Sequence, residues 1–238
     1  MLEALSLIPA WYLPLTVFIF GVIIGSFLNV VICRWHTGKS LAGNSHCLSC
    51  GTRLRAIDLV PLLSYVALRG QCRTCGSYIP SRYFLVELIT GLLFLTVALT
   101  VTDWIIGLLL LVVMSILVLI TVYDLYHLII PDELVIALSC LALILAGYEL
   151  YLGSISLSIL LFNLGAALLG SLFLYGLWAY SKGRWIGFGD VKLAFPLGLM
   201  VGYQSVFSFL TLAFWVGAIV GLGLLILGRL SRGQPGLR

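Results

Sequence analysis

Two aspartates in this chain stand at the ends of long apolar runs. Asp124 lies in Tyr123-Asp124-Leu125-Tyr126-His127-Leu128-Ile129-Ile130-Pro131-Asp132, and Asp190 closes Gly187-Phe188-Gly189-Asp190. A carboxylate at the edge of hydrocarbon is costly to keep, so each is a functional candidate by default. If the two face each other they form an acid–base dyad, because carboxylates sharing one proton cannot both ionise cheaply. The ionised member takes a proton from water as that water attacks an amide carbonyl; the protonated member donates to the carbonyl oxygen. Asp132 and Glu133 compete for the role. They follow Pro131 at a helix start, where acids complement the N-terminal partial charge, and capping is the better reading for them. Capping also fits Asp190, although Gly187 and Gly189 let a backbone or substrate come close to its carboxylate. Asp124 has no helix start to cap. From the residues alone, a shared catalytic site and two separate structural roles both remain open. His127 shares a face with Asp124 if the segment is helical, either to tune it or to meet lipid headgroups.

A second cluster points to a metal. Four of the six cysteines form Cys47-x-x-Cys50 and Cys72-x-x-Cys75, inside two similar stretches, Cys47-Leu48-Ser49-Cys50-Gly51-Thr52-Arg53-Leu54 and Cys72-Arg73-Thr74-Cys75-Gly76-Ser77-Tyr78-Ile79. Four thiolates at this spacing make a closed tetrahedral zinc site, structural because no position is left open for water. The glycine after each pair allows a tight turn around the metal. So short a segment cannot bury enough apolar area to fold alone, and bound metal would hold it. His46 adjoins Cys47, but the four cysteines already fill the shell. Cys33 and Cys140 lie in apolar runs and are expected to pack as small hydrophobes.

The elements that position these groups are membrane helices. Of 238 residues, 62% are hydrophobic and 9% charged, a balance no soluble globular domain has. The chain is therefore read as an all-α polytopic membrane protein. Its weakly charged runs predict spans at 5–33, 83–102 (with Glu87 inside), 104–123, 134–151 and 150–181. The run 193–228 would be ~54 Å long as one helix against a ~30 Å core, so it is expected to break near Gly202-Tyr203-Gln204-Ser205 into a short sixth span and a long seventh. The first span lacks a positive region before it and is too long for a cleaved signal, so it is read as retained.

With seven spans, all 13 Lys and Arg residues fall on one side: Arg34, Lys39, Arg53, Arg55, Arg69, Arg73, Arg82, Lys182, Arg184, Lys192, Arg229, Arg232 and Arg238. The other side has only Glu3, Asp103 and Glu149. Excess Lys and Arg marks the cytoplasmic side, which places the N-terminus outside and both aspartates at the cytoplasmic face. The net charge of +4 thus reflects topology rather than a nucleic-acid partner. Three regions follow: 1–33, the first transmembrane helix; 34–82, a cytoplasmic zinc-binding loop domain; and 83–238, a helical membrane domain. In the first span, Gly25-Ser26-Phe27-Leu28-Asn29 reads as a helix-packing cluster, with Asn29 able to hydrogen-bond across helices. Glu87 needs a partner, for which Arg82 or headgroup water is expected.

In order, these motifs are similar to those of the bacterial type IV prepilin peptidases. The resemblance rests on Gly25-Ser26-Phe27-Leu28-Asn29-Val30-Val31-Ile32-Cys33-Arg34, both cysteine pairs, Asp58-Leu59-Val60-Pro61-Leu62-Leu63-Ser64-Tyr65 between them, Arg82-Tyr83-Phe84-Leu85-Val86-Glu87-Leu88, the Asp124 segment and Gly187-Phe188-Gly189-Asp190. His36 and Thr37 stand where the family pattern leads one to expect Pro. The resemblance implies about seven to eight transmembrane helices and a multi-pass protein of the bacterial inner membrane. It implies an aspartic intramembrane peptidase with Asp124 and Asp190 as the catalytic pair and Gly187 and Gly189 in support. Its substrates would be type IV prepilins or pseudopilins, whose basic leader is removed at the cytoplasmic face. The new N-terminal residue would then be methylated with S-adenosylmethionine, for which no residues are assigned. A peptidase lacking methyl transfer is one alternative; a transporter with proton-coupling acids is another, though it would place them near the midplane. A membrane anchor with a zinc-knuckle loop leaves the aspartates unexplained.

Overall fold

The computed structural model describes residue 9, residues 11–35, residue 40 and residues 43–232. Glu3, His36, Thr37, Lys39 and Arg238, which entered the readings above, lie outside the described residues. Among the described residues there are helices and no strand, only two isolated antiparallel bridges. In chain order the α-helices are α1 (Tyr12–Arg34), α2 (Leu63–Ala67), α3 (Arg82–Thr100), α4 (Trp104–His127), α5 (Asp132–Tyr151), α6 (Leu157–Ser181), α7 (Phe188–Val201) and α8 (Val206–Arg232), with a 3-10 turn at Ala56–Leu59. Six of them are long and apolar enough to cross a membrane, and they account for six of the seven expected spans.

The remaining expected span is α7, with 14 residues. At 1.5 Å per residue it reaches ~21 Å, short of a ~30 Å hydrocarbon core. It stops where the sequence placed the break. Gly202, at φ 83, leaves the helix, and the backbone N–H of Tyr203 donates to Asn163 Oδ1 at 2.8 Å. Asn163 belongs to the second turn of α6, so a side chain of one membrane helix satisfies backbone that the end of another has freed. Within hydrocarbon, non-helical backbone is tolerated only where protein groups satisfy it.

The chain forms two compact units, Met1–Leu134 and Val135–Arg238. In the first, α1 lies against α3 at glycine contacts. A Cβ on Gly21 would stand 2.6 Å from Phe94 Cβ, and one on Gly25 would stand 2.8 Å from Glu87 Cα. Without a hydrophobic drive between helices in lipid, such close backbone approach supplies the packing energy. Asn29 adds the interhelical hydrogen bond expected of it, donating from Nδ2 to the Tyr83 carbonyl at 3.1 Å. Two other expectations are corrected here. Glu87 is not paired with Arg82: it is buried and accepts the backbone N–H of Leu62 at 2.8 Å. Cys33 is not an inert core residue, since it is exposed with its Sγ 3.5 Å from both Tyr83 Oη and Arg82 Nη2. Cys140 is exposed as well.

In the second unit, α6 and α7 approach closely where a Cβ on Gly198 would stand 3.1 Å from Ala167 Cα. The core is a cluster of Leu174, Val191, Ala194, Val206 and Leu210, drawn from α6, α7 and α8, with a second of Ala142, Ala167 and Leu199.

Candidate active site and metal centre

The two cysteine pairs form a pair of matching knuckles. In the first, Cys47 N–H donates to the Thr52 carbonyl and Gly51 N–H to the Cys47 carbonyl, both at 2.9 Å. In the second, Cys72 N–H donates to Ser77 and Gly76 N–H to Cys72, again at 2.9 Å. Gly51 and Gly76 both sit at φ 69, the left-handed region where a side chain is strained. The repeat read in the sequence is thus a repeat of structure.

The four Sγ atoms all lie within 4.8 Å of one another, and Cys47 Sγ is 3.8 Å from Cys75 Sγ. Zinc–sulfur bonds of ~2.3 Å in a tetrahedron put sulfurs ~3.8 Å apart, so the donor set fits structural zinc. The surroundings favour thiolate. Backbone N–H groups of Cys50 and Ser49, with the Ser77 hydroxyl, bring the Cys47 thiol down to about 6. Ser77, through its hydroxyl and its backbone N–H, also lowers Cys75. The N–H groups of Cys75 and Thr74 pull on Cys72 too, but burial and the neighbouring thiols of Cys47 and Cys75 leave it raised.

Sequence reasoning missed two residues here. Thr52 Oγ1 lies 3.3 Å from Cys50 Sγ, and Ser77 Oγ lies 3.1 Å from Cys75 Sγ. Hydroxyls at such distances orient metal-binding sulfurs. They occupy equivalent places in the two halves, and that coincidence was the available signal. The knuckles are strapped by Asp58, whose Oδ1 accepts Arg73 Nε at 2.7 Å while Oδ2 accepts the Arg55 N–H at 3.3 Å.

Asp124 is half-buried in the last turn of α4. Its carbonyl accepts the N–H of Leu128 at 2.7 Å, and Leu128 ends the helix at φ 54. His127 turns to Tyr123, with ring centroids 4.3 Å apart. Arg82, first residue of α3, lies 4.7 Å over the ring of Tyr126 and 4.8 Å over that of Tyr83. This cation–π bridge ties the start of α3 to the turn that carries Asp124. Asp124 therefore stands at the end of this unit from which the cysteine segment departs.

Asp190, in the second unit, is exposed in the first turn of α7. Its N–H donates to the Gly187 carbonyl at 3.2 Å. Gly187 has an ordinary φ of −70, so its backbone does not require glycine. The space beside it is tight: a Cβ there would stand 3.3 Å from Asp190 Oδ2, and the carboxylate would have to give by a few tenths of an ångström. Phe188 packs on Trp178 with centroids 5.0 Å apart, and Lys192 Nζ lies 5.3 Å from the Phe188 ring. Asp132 and Glu133 fall in the first turn of α5.

Residues 19–101 match the Bacterial Peptidase A24 N-terminal domain and residues 111–222 match the Type IV leader peptidase family. The chain is 34% identical to a prepilin leader peptidase/N-methyltransferase of Aeromonas salmonicida, over 99% of this chain and 89% of that protein. It is 35% identical to one of Myxococcus xanthus, over 98% and 69%, and 31% identical to one of Bacillus subtilis, over 92% and 86%. The chain belongs to the type IV leader peptidase family. No solved structure matches it. Within this leader peptidase, the N-terminal match takes in the four cysteines and Glu87, and the second match takes in both Asp124 and Asp190.

Proposed function

We propose that this protein removes the leader peptide of type IV prepilins or pseudopilins and then methylates the new N-terminal residue, with Asp124 and Asp190 as the peptidase's acid–base pair. The observation that carries this reading is the match of residues 111–222 to the leader peptidase family across a stretch with one aspartate ending a spanning helix and another opening a short one. Two spanning helices, α5 and α6, separate the aspartates along the chain, so in a bilayer both return to one face. The bias of Lys and Arg makes that face cytoplasmic and the N-terminus periplasmic, and membership of the bacterial leader peptidase family makes the membrane the bacterial inner membrane. Residues 83–238 are the helical peptidase region, and 34–82 the zinc-bearing region.

A substrate with a basic leader and an apolar helix would lie with the helix in lipid and the leader in water, bringing the scissile bond to the level of both carboxyls. One carboxylate removes a proton from water as its oxygen adds to the peptide carbonyl, and the other carboxyl donates to that carbonyl's oxygen. Collapse breaks the C–N bond, and the departing amine takes up the proton. Gly187 leaves room for the Asp190 carboxylate, and Phe188 anchors the start of its helix on Trp178. Zinc, held by Cys47, Cys50, Cys72 and Cys75, is structural. S-adenosylmethionine supplies the methyl group to the freed amine.

The test is to incubate the purified protein with a prepilin and weigh the product. Loss of the leader mass is expected, followed by gain of a methyl mass when the donor is added. Asp124→Asn and Asp190→Asn should each abolish leader removal while the protein stays in the membrane. Normal cleavage by either variant would remove the pair assignment.

A further inference from the structure

The Gly-x-Gly-Asp stretch brings two glycines next to Asp190, and glycine widens the range of backbone conformations open to it. A carboxylate that must take or give a proton at a fixed point needs its backbone held by something else. That support comes from the last turn of α6. Ser181 is 2% exposed, and its hydroxyl donates to the Trp178 carbonyl at 3.2 Å and accepts the N–H of Trp185 at 3.3 Å. Its carbonyl accepts both the N–H and Nε–H of Arg184, each at 3.2 Å. The chain reverses directly after it through Lys182 at φ 53 and Gly183 at φ 74, where Gly183 N–H donates to Trp178 O at 2.9 Å.

Ser181 therefore takes part in four hydrogen bonds of the turn that leads to Gly187, beside those of Lys182 on Ala179 and Gly183 on Trp178. A second clasp closes over it, because the Trp178 ring holds Phe188, and Ile186 packs with Trp178 on the buried α6–α7–α8 cluster. The stretch between α6 and Asp190 is thus pinned at Trp185, Ile186 and Phe188.

We propose that Ser181 is a positioning residue for Asp190, its buried hydroxyl fixing the turn that sets where the carboxylate stands, with Trp178 completing the clasp. The proposal rests on the reading of Asp190 as one of the catalytic pair. Ser181 touches no substrate; it acts through the backbone. Removing its hydroxyl takes from the Trp185 N–H its acceptor and from the turn one of its ties, a local change whose effect should fall on the alignment of Asp190. Displacement of a reacting group by a fraction of an ångström costs rate rather than binding.

Full-length Ser181→Ala and Ser181→Thr in lipid vesicles are compared with the native protein, using a prepilin as substrate. Ser181→Ala should lower kcat about tenfold with KM within about twofold, and Ser181→Thr, which keeps the hydroxyl, should recover most of the rate. Hydrogen exchange gives a readout independent of activity: amides 185–190 should exchange about tenfold faster in Ser181→Ala, with α5 unchanged. Native kcat in Ser181→Ala overturns the proposal, as does a change confined to KM or unaltered exchange at 185–190. If the native protein does not cleave the prepilin, the peptidase reading fails, and the exchange comparison still decides whether Ser181 fixes the turn. Should Ser181→Ala not accumulate, Ser181→Cys keeps the volume, weakens the hydrogen bonds and is held to the same outcomes.

Discussion

The carboxylate of Glu87, in the second turn of a membrane-spanning helix, accepts the backbone N–H of Leu62 at 2.8 Å. Leu62 is the centre of a γ-turn at φ 59, ψ −51, closed by Leu63 N–H on the Pro61 carbonyl at 2.6 Å. That hand of the turn is rare and strained, and a non-glycine residue persists in it only where its surroundings hold it. A membrane helix thus latches the segment that joins the two cysteine knuckles. Glu87→Leu orphans the N–H, which costs about 1–3 kcal/mol, whereas Glu87→Gln keeps an acceptor. Amides 62–65 should exchange faster in Glu87→Leu and near the native rate in Glu87→Gln. Equal exchange in all three proteins would sink the latch.

Gly187 and Asp190 provide a second test. The Gly187 backbone suits alanine, but the new methyl would press on Asp190 Oδ2 at 3.3 Å. Gly187→Ala should therefore slow leader removal by about ten- to a hundredfold while thermal stability stays near native. Full activity per folded molecule, whatever the stability, would contradict the reading that this glycine makes room for the carboxylate.

Much of this was legible beforehand for particular reasons. The break at Gly202–Ser205 was readable because a bilayer limits helix length, and the knuckles because thiol spacing and following glycines repeat. Asn29 was readable because amides between apolar helices seek partners. What escaped was long-range pairing. The sequence offers Arg82 or headgroup water to Glu87, yet Arg82 stacks on Tyr83 and Tyr126 while Glu87 meets a backbone N–H 25 residues away. Backbone donors carry no residue-type signature, so neither that latch nor the role of Ser181 could be read from composition or spacing. The short reach of α7 follows from length alone, whereas Asn163 as the acceptor for the Tyr203 N–H just beyond its end does not.

Asp58 makes a pH prediction. Its carboxyl is held below its ordinary value of 3.8, first by the hydrogen bond from Arg73 and then by the Arg55 N–H against the cost of burial. A depressed carboxyl stabilises fully above its unfolded value, and that contribution fades as pH falls through the lower folded value. Asp58→Asn should therefore loosen residues 53–79 equally at about pH 7 and about pH 5, with the gap to the native protein closing only below about pH 4. Hydrogen exchange or thermal unfolding at those values measures it. A gap already closed at about pH 5 would show that the Arg73 pairing does not act as a strap.

The metal centre makes the last. Four thiols with sulfurs within 4.8 Å should hold one zinc per chain after purification without chelator, measured by elemental analysis. A Cys47→Ser/Cys72→Ser double variant removes one ligand from each knuckle and should lose it. Because protons compete for the same thiolates, retention should weaken progressively as pH falls, first at the raised Cys72 thiol and last through the Cys47 value of about 6. Thr52→Val and Ser77→Ala keep all four ligands and take away the hydroxyls beside Cys50 and Cys75. Each should weaken zinc retention against a chelator by about 10- to 100-fold, the usual cost of a lost outer hydrogen bond. Retention unchanged in both would mean that the thiolates alone define the site, and that the matching hydroxyls in the two halves are incidental to it.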